Sequence, residues 1–196
     1  MSVAVVELRE FTVADGSFLM SWIGGPAELM AWAGPTFTWP LDGPQIAAYA
    51  AECATPRRWG WMGFDPRTRR TVGHASVRIA ADGSTGRLGR VLVALEARGR
   101  GVGGGMVREV LGAAFGPLGL QRVELGVFSH NTSALRLYER LGFQAERVLA
   151  DVERVEGQSW SAVQMFLSRA DWAAAALGGQ RAAQQHEAEG TRPAGM

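Results

Sequence analysis

The chain has 196 residues, of which 47% are hydrophobic, and its 20 Lys and Arg against 19 Asp and Glu leave a net charge of +1. That length suits one domain with a sizeable core, and a balanced charge without a long basic run excludes bulk electrostatic capture of nucleic acid or of an anionic membrane surface. Cys53 is the single cysteine, which excludes an intrachain disulfide and points to a reducing compartment; with no base motif beside it, Cys53 reads as a small buried hydrophobe.

In chain order, Val3–Arg9 reads as a first strand. Its apolar part, Val3–Val6, is too short for a leader, and no later run approaches the ~20 apolar residues of a membrane span, so a cytoplasmic protein is expected. Thr12-x-x-Asp15 has the spacing of a helix start, with Leu19, Met20, Trp22 and Ile23 as the apolar content that follows. Gly24-Gly25-Pro26 punctuates, and Pro26 suits the first turn of a short helix ending before Gly34-Pro35. Asp42-x-x-Gln45 starts a further helix, with Pro44 in its first turn, that stops before Pro56.

Arg58–Phe64, Thr71–Ile79 and Gly86–Leu95 read as strands. The turns between them, Asp65-Pro66 and Ala81-Asp82-Gly83-Ser84, are short enough for an antiparallel meander. A glycine-rich loop, Arg98–Gly105, leads into Met106–Phe115, where Met106, Val107, Val110, Leu111, Ala114 and Phe115 form one helical apolar face. Arg122–Val127 is the next strand, so strand, helix and strand imply a parallel pairing within a mixed sheet. Asn131, Thr132 or Ser133 can cap the following helix, and Gly142-Phe143 ends it. Ala145–Arg154 and Ser159–Leu167 around Glu156-Gly157 make a terminal hairpin, whose free edge could support a homodimer. The domain is expected over residues 1–168, followed at 169–196 by an alanine-rich helix and a polar, flexible tail with no catalytic part.

The loop after Val91–Leu95 carries the functional signal. Strand, glycine turn and helix start aim backbone N–H groups and the positive end of a helix dipole at an anion. Glycines keep Cβ atoms from holding a phosphate off those amides, and Arg98 and Arg100 add fixed positive charge. A nucleoside triphosphate loop needs Gly-Lys-Ser/Thr, whereas here Met106 follows Gly105. Gly99-x-Gly101-x-x-Gly104 satisfies a dinucleotide fingerprint, with Glu124 downstream for a ribose. Against it, Glu96–Arg98 separate the strand from the first glycine, and Glu124 lies inside its strand.

Arg98-x-x-Gly101-x-Gly103, behind a strand and opening a helix, resembles the acyl-CoA loop of the GNAT superfamily of N-acyltransferases. Asn131-x-x-Ala134-x-x-Leu137-Tyr138-Glu139-Arg140-x-Gly142-Phe143 resembles that superfamily's other signature, and the whole pattern looks most like its RimJ/RimL type. The resemblance implies an α/β (α+β) fold, a mixed and mostly antiparallel sheet with a splayed parallel pair flanked by helices. It implies acetyl-CoA as cofactor, no metal, and direct transfer to a primary amine, either a protein N-terminal α-amine or a small molecule such as a polyamine or aminoglycoside. A non-catalytic acyl-CoA sensor is the alternative of a different class.

Residue by residue, the resemblance gives Arg98, Gly99, Arg100, Gly101, Val102, Gly103 and Gly104 to the pyrophosphate. It gives Leu92 or Val93 to the thioester carbonyl, Asn131 with Ala134 to the pantetheine arm, and Tyr138 to protonation of the departing thiolate. Tyr138 also fits a core aromatic, sharing a face with Leu135 and Leu141, and Asn131 fits a plain helix cap. His74, Glu96 and Glu124 are candidates for the base that frees the amine, His74 because it shares a strand face with Ser76 and Arg78. His130 would line the cofactor path. Trp22, Trp32 and Trp39 could wall an acceptor pocket, with Glu28 or Asp42 attracting a cationic amine, or could simply pack the core.

Overall fold

The computed structural model describes residues 4–175. Seven strands form one sheet: β1 Glu7–Glu10, β2 Arg58–Asp65, β3 Arg70–Ile79, β4 Thr85–Val93, β5 Arg122–Phe128, β6 Gln144–Val155 and β7 Gln158–Ser168. Their order is β1-β2-β3-β4-β5-β7-β6. Every neighbouring pair is antiparallel except β4–β5, which is parallel as a helical crossover requires. Helices α1 Gly16–Trp22, α2 Pro26–Ala33 and α3 Gly43–Cys53 lie between β1 and β2, α4 Val102–Phe115 crosses from β4 to β5, and α5 Thr132–Arg140 follows β5.

The α4 face anticipated from periodicity is the centre of the core. Met106, Val107, Val110, Leu111 and Ala114 are fully buried, each larger one worth about 1.5–3 kcal/mol relative to exposure. Gly105 brings this helix against the N-terminal segment, because a Cβ there would collide with the Ala4 carbonyl. After β7, residues 169–175 are helical, and Trp172 packs on Phe115 at 6.1 Å between ring centroids. The tail reading over 178–196 lies outside the described residues.

Two expectations change. The first strand is shorter and later than Val3–Arg9, starting at Glu7. β3 also lacks a solvated face: Val72–Val77 is buried throughout, His74 and Ser76 included. A central strand is covered on both sides. A Cβ on Gly73 would touch Met106 of α4, while His74 on the opposite face meets Tyr49 of α3 and Trp32 of α2.

Candidate functional site

The β4–β5 ladder contains only Thr85–Arg122, Gly86–Val123 and Arg87–Glu124; beyond Arg87 the strands part, while β5 stays paired with β7 to Phe128. The Ala94 N–H donates to the Val72 carbonyl at 3.0 Å. Antiparallel alternation therefore turns the Leu92 peptide groups toward β3 and those of Val93 toward the gap. Arg98 Nε donates to the Val93 carbonyl at 3.1 Å, and the Val93 N–H turns the same way, off β3.

The chain then makes a short 3-10 turn, Leu95–Ala97, and reaches the start of α4 through Gly99 at φ 75° and Gly101 at φ 77°. Side chains at these left-handed positions would be strained. The first helical bond is Gly105 N–H to the Gly101 carbonyl at 3.0 Å, and no side chain caps the helix. The N–H groups of Val102, Gly103 and Gly104 therefore point outward at the positive end of a fourteen-residue helix dipole. Exposed Arg98 and Arg100 flank them. Gly103 and Gly104 also let three elements converge: a Cβ on Gly103 would lie 3.4 Å from Val93 and 3.6 Å from Leu137, and one on Gly104 3.3 Å from Leu137. A pyrophosphate fits this arrangement, since unpartnered amides face it and no Cβ intrudes.

Tyr138, next to Leu137 on α5, is buried with its ring edge-on to Phe143 at 5.6 Å. Burial pushes its pKa up to about 12, so at neutral pH the hydroxyl is a proton donor, and it makes no hydrogen bond within the described residues. Asn131 is the N-cap of α5: its Oδ1 accepts from the Ala134 N–H at 3.2 Å and from Ser133 Oγ at 3.1 Å, which leaves the side-chain NH2 uncommitted. His130 stacks with Phe128 and meets Trp160 edge-on, centroids 5.8 and 4.4 Å apart.

A second space, a cavity of about 390 Å³, lies where Trp32–Thr36, Leu88–Arg90 of β4, Gly126 and Phe128 of β5, and the β6–β7 hairpin approach one another. Its shape depends on a bulge. His74 pairs with Leu92 and Ser76 with Gly89, so Ala75 faces two residues, Arg90 and Val91. Arg90 takes φ 54° there, and its carbonyl receives Trp32 Nε1 at 2.8 Å and His74 Nδ1 at 2.9 Å. A carbonyl only accepts, so Nδ1 carries the proton and Nε2, 3.2 Å from the Tyr49 hydroxyl, accepts from it. Burial pushes the His74 pKa down to about 4. Fully buried, neutral and with both nitrogens engaged, His74 fastens the bulge and is not positioned to serve as a base.

The other expected acids and aromatics divide similarly. Glu28 accepts from the Gly24 N–H at 2.6 Å and Asp42 from the Gln45 N–H at 3.0 Å, so both carboxylates are spent on helix starts. Glu124 pairs with Arg122 at 2.7 Å, and Glu96 is exposed in the 3-10 turn. Trp22 is core and Trp39 is half-exposed, while Trp32 walls the cavity and stacks on Phe37 at 5.5 Å. The carboxylate lining the cavity is Glu153, which sequence reasoning missed. It follows a break in the β6–β7 register between Leu149 and Glu153, where Asp151 takes φ 51° with no glycine to announce it. Arg58, Arg78, Arg87 and Arg90 were missed too, although Arg78 and Arg87 lie symmetrically about the Ala81–Ser84 turn.

Fold and crossover together define a class, that of acetyltransferases built on a seven-stranded mixed sheet with one parallel pair. Residues 27–143 match the family model described as Acetyltransferase (GNAT) family, and the chain belongs to that family. It is a GNAT-family N-acetyltransferase, and the family takes its acetyl group from acetyl-CoA. Among solved structures, the chain is similar to spermidine N-acetyltransferase from Vibrio cholerae in complex with CoA and spermine. There the TM-score is 0.75 at 17% identity, covering 85% of this chain and 97% of that one. A chimera of the Vibrio cholerae enzyme SpeG and hSSAT superposes with a TM-score of 0.73 at 18% identity, covering 85% and 97%. At such identities the likeness speaks for the fold.

Proposed function

We propose that this protein transfers the acetyl group of acetyl-CoA to the primary amine of a small molecule, by direct attack with both substrates bound. The observation that carries the reading is the parting of β4 from β5 beyond Arg87 beside a helix start with outward-facing amides. Val102, Gly103 and Gly104 N–H groups, with Arg98 and Arg100, hold the pyrophosphate, and the free edge of β4 takes the pantetheine amides as an added strand would. The Asn131 NH2 contacts that arm beside Ala134. Bound there, acetyl-CoA supplies the thioester carbonyl at which a C–N bond forms as the C–S bond breaks.

The Val93 N–H donates to the carbonyl oxygen as negative charge grows on it, a contribution of about 2.7–4 kcal/mol where such a donor can be removed. A primary amine, with a pKa near ~10, must lose a proton to attack, and Glu153 is the carboxylate in the cavity that takes it. Tyr138 gives its proton to the departing sulfur. A small acceptor, rather than the protein α-amine suggested by the RimJ/RimL pattern, is favoured by the spermidine acetyltransferases that share the fold. Calorimetric titration with acetyl-CoA, beside CoA and NADH, tests the cofactor half, and a thiol-release assay over an amine library tests the rest. Saturable acetyl-CoA binding with amine-dependent thiol release is expected; binding of NADH alone, or of none of the three, refutes the reading.

A further inference from the structure

We propose that the acceptor carries an oxyanion group, a carboxylate or a phosphate, beside its amine, and that Arg58, Arg78, Arg87 and Arg90 recognise it. This rests on the acetyl-transfer reading and names the acceptor class for the same cavity. All four arginines line the cavity, against one carboxylate, Glu153. Three of them form a row across the sheet: Arg58 is the direct partner of Arg78, and Arg78 of Arg87. Like charges directly opposite on neighbouring strands destabilise a sheet, so such a row calls for an anion that it binds. The next residue in the row, Glu124 of β5, is paired with Arg122 at 2.7 Å.

The inner arginines are held in place and under-neutralised. Arg58 is 8% and Arg90 7% exposed. They share one half-exposed carboxylate, Glu52, which lies 2.8 Å from Arg58 Nε and 3.8 Å from Arg90 Nη1. Neither nitrogen has an aligned hydrogen-bond partner among the described residues. Both nitrogens are turned toward Glu52, and Arg58 Nη1 donates to Ser76 Oγ at 3.3 Å; two desolvated guanidinium groups sharing one carboxylate are costly unless a further anion approaches. Arg90 is also pre-positioned: its backbone is clamped by Trp32 and His74, and its guanidinium lies 4.1 Å from the Tyr49 ring centre and 4.8 Å from that of Phe37. Arg87 reaches from β4 to β5, where a Cβ on Gly126 would come within 3.0 Å of its Nη2.

The two signs of charge fit a zwitterion. Its anionic group meets the arginines in the bidentate geometry that guanidinium favours, and its ammonium is drawn to Glu153. A polycationic amine meets four like charges instead.

The test uses the full chain with saturating acetyl-CoA and charge-matched acceptors: O-phosphoethanolamine against ethanolamine, the standard amino acids against their carboxamides, and spermidine. The best acceptor is expected to be an anion-bearing amine, with kcat/KM about ten-fold or more above its neutral counterpart, and the phosphate and carboxylate arms tell which oxyanion is read. R78Q and R87Q, at exposed positions that avoid unfolding, should each raise its KM about ten-fold while the KM for acetyl-CoA stays put. Preference for spermidine or a neutral amine, or variants that leave the acceptor KM unmoved, overturns the proposal. If acetyl-CoA does not bind, the acetyl-transfer reading fails by itself. Titration with inorganic phosphate and with acetate then decides the anion site separately: saturable binding weakened by R78Q and R87Q sustains it, and no binding of either ion overturns it.

Discussion

Acidification should loosen this protein through one buried side chain, His74. Its pKa stands at about 4 in the folded chain against an ordinary value of 6.5, with burial as the main cause. Between those values the unfolded chain binds a proton that the native one refuses, so stability rises with pH. The contribution is complete above pH 6.5 and is lost as pH falls toward 4. A difference of about 2.5 units at about 1.36 kcal/mol per unit comes to about 3 kcal/mol, a large share of the ~5–15 kcal/mol of a typical domain. Urea unfolding followed by tryptophan fluorescence at pH 7.5, 6.5, 5.5 and 4.5, for the wild type and H74Q, measures it. H74Q should start less stable at pH 7.5 and lose less on acidification, so the two curves converge; taking the difference cancels carboxylates common to both. Curves that stay parallel would refute the reasoning. In activity, H74Q should raise the acceptor KM, because the Arg90 carbonyl loses a donor, more than it lowers kcat. A base in that position would give the opposite split.

Tyr138→Phe should cut turnover by about 10²–10⁴-fold in thiol-release kinetics and leave the calorimetric affinity for CoA within two-fold, since no protein group is left unpaired. Gly101→Val places a β-branched residue at φ 77°, a strain of about 1–2 kcal/mol that re-aims the α4 amides. Acetyl-CoA titration should show affinity reduced about ten-fold or more. Glu153→Gln should lower kcat/KM at neutral pH by about 10²-fold in thiol-release kinetics; an unchanged rate would mean that water alone deprotonates the amine.

What the sequence discloses, and what it hides, follows from how each half of the site is made. The side proposed for the cofactor is built from backbone, and backbone work leaves glycines behind: Gly99 and Gly101 stand at positive φ, and Gly103 and Gly104 admit Val93 and Leu137. Those residues are contiguous, so they read as a motif. The meander and the hairpin were legible for the same reason, since their turns are local. The cavity is assembled instead from residues far apart in the chain, Trp32, Arg58, Arg90, Gly126 and Glu153, which only the folded sheet brings together. His74 misled because the alternation of His74, Ser76 and Arg78 with Ala75, Val77 and Ile79 is the pattern of a strand with one wet face. Here the polar residues meet buried partners across β2, β4 and α3. The bulge was invisible because Arg90, and not a glycine, occupies its left-handed position.

That bulge joins the two halves mechanically. β4 leaves β5 after Arg87, and the extra residue follows three positions later, where an added residue bends a strand and increases its twist. The bend keeps β4 apart from β5, and on the acetyl-transfer reading Val93 faces the gap left for the thioester. A left-handed arginine is strained by about 1–3 kcal/mol and persists only where neighbours over-determine it. Here those neighbours are Trp32 of α2 and His74 of β3, both donating to its carbonyl. On the proposed reading, the N-terminal helices therefore do more than cover the acceptor cavity: through Trp32 they help hold open the cleft on the cofactor side. The strained residue is also one that lines the cavity proposed for the acceptor. Restoring a regular strand at Arg90, by deleting the bulge residue, would relieve the strain and close the gap between β4 and β5. It would remove the acceptor contact in the same step, so cofactor affinity and acceptor affinity should fall together.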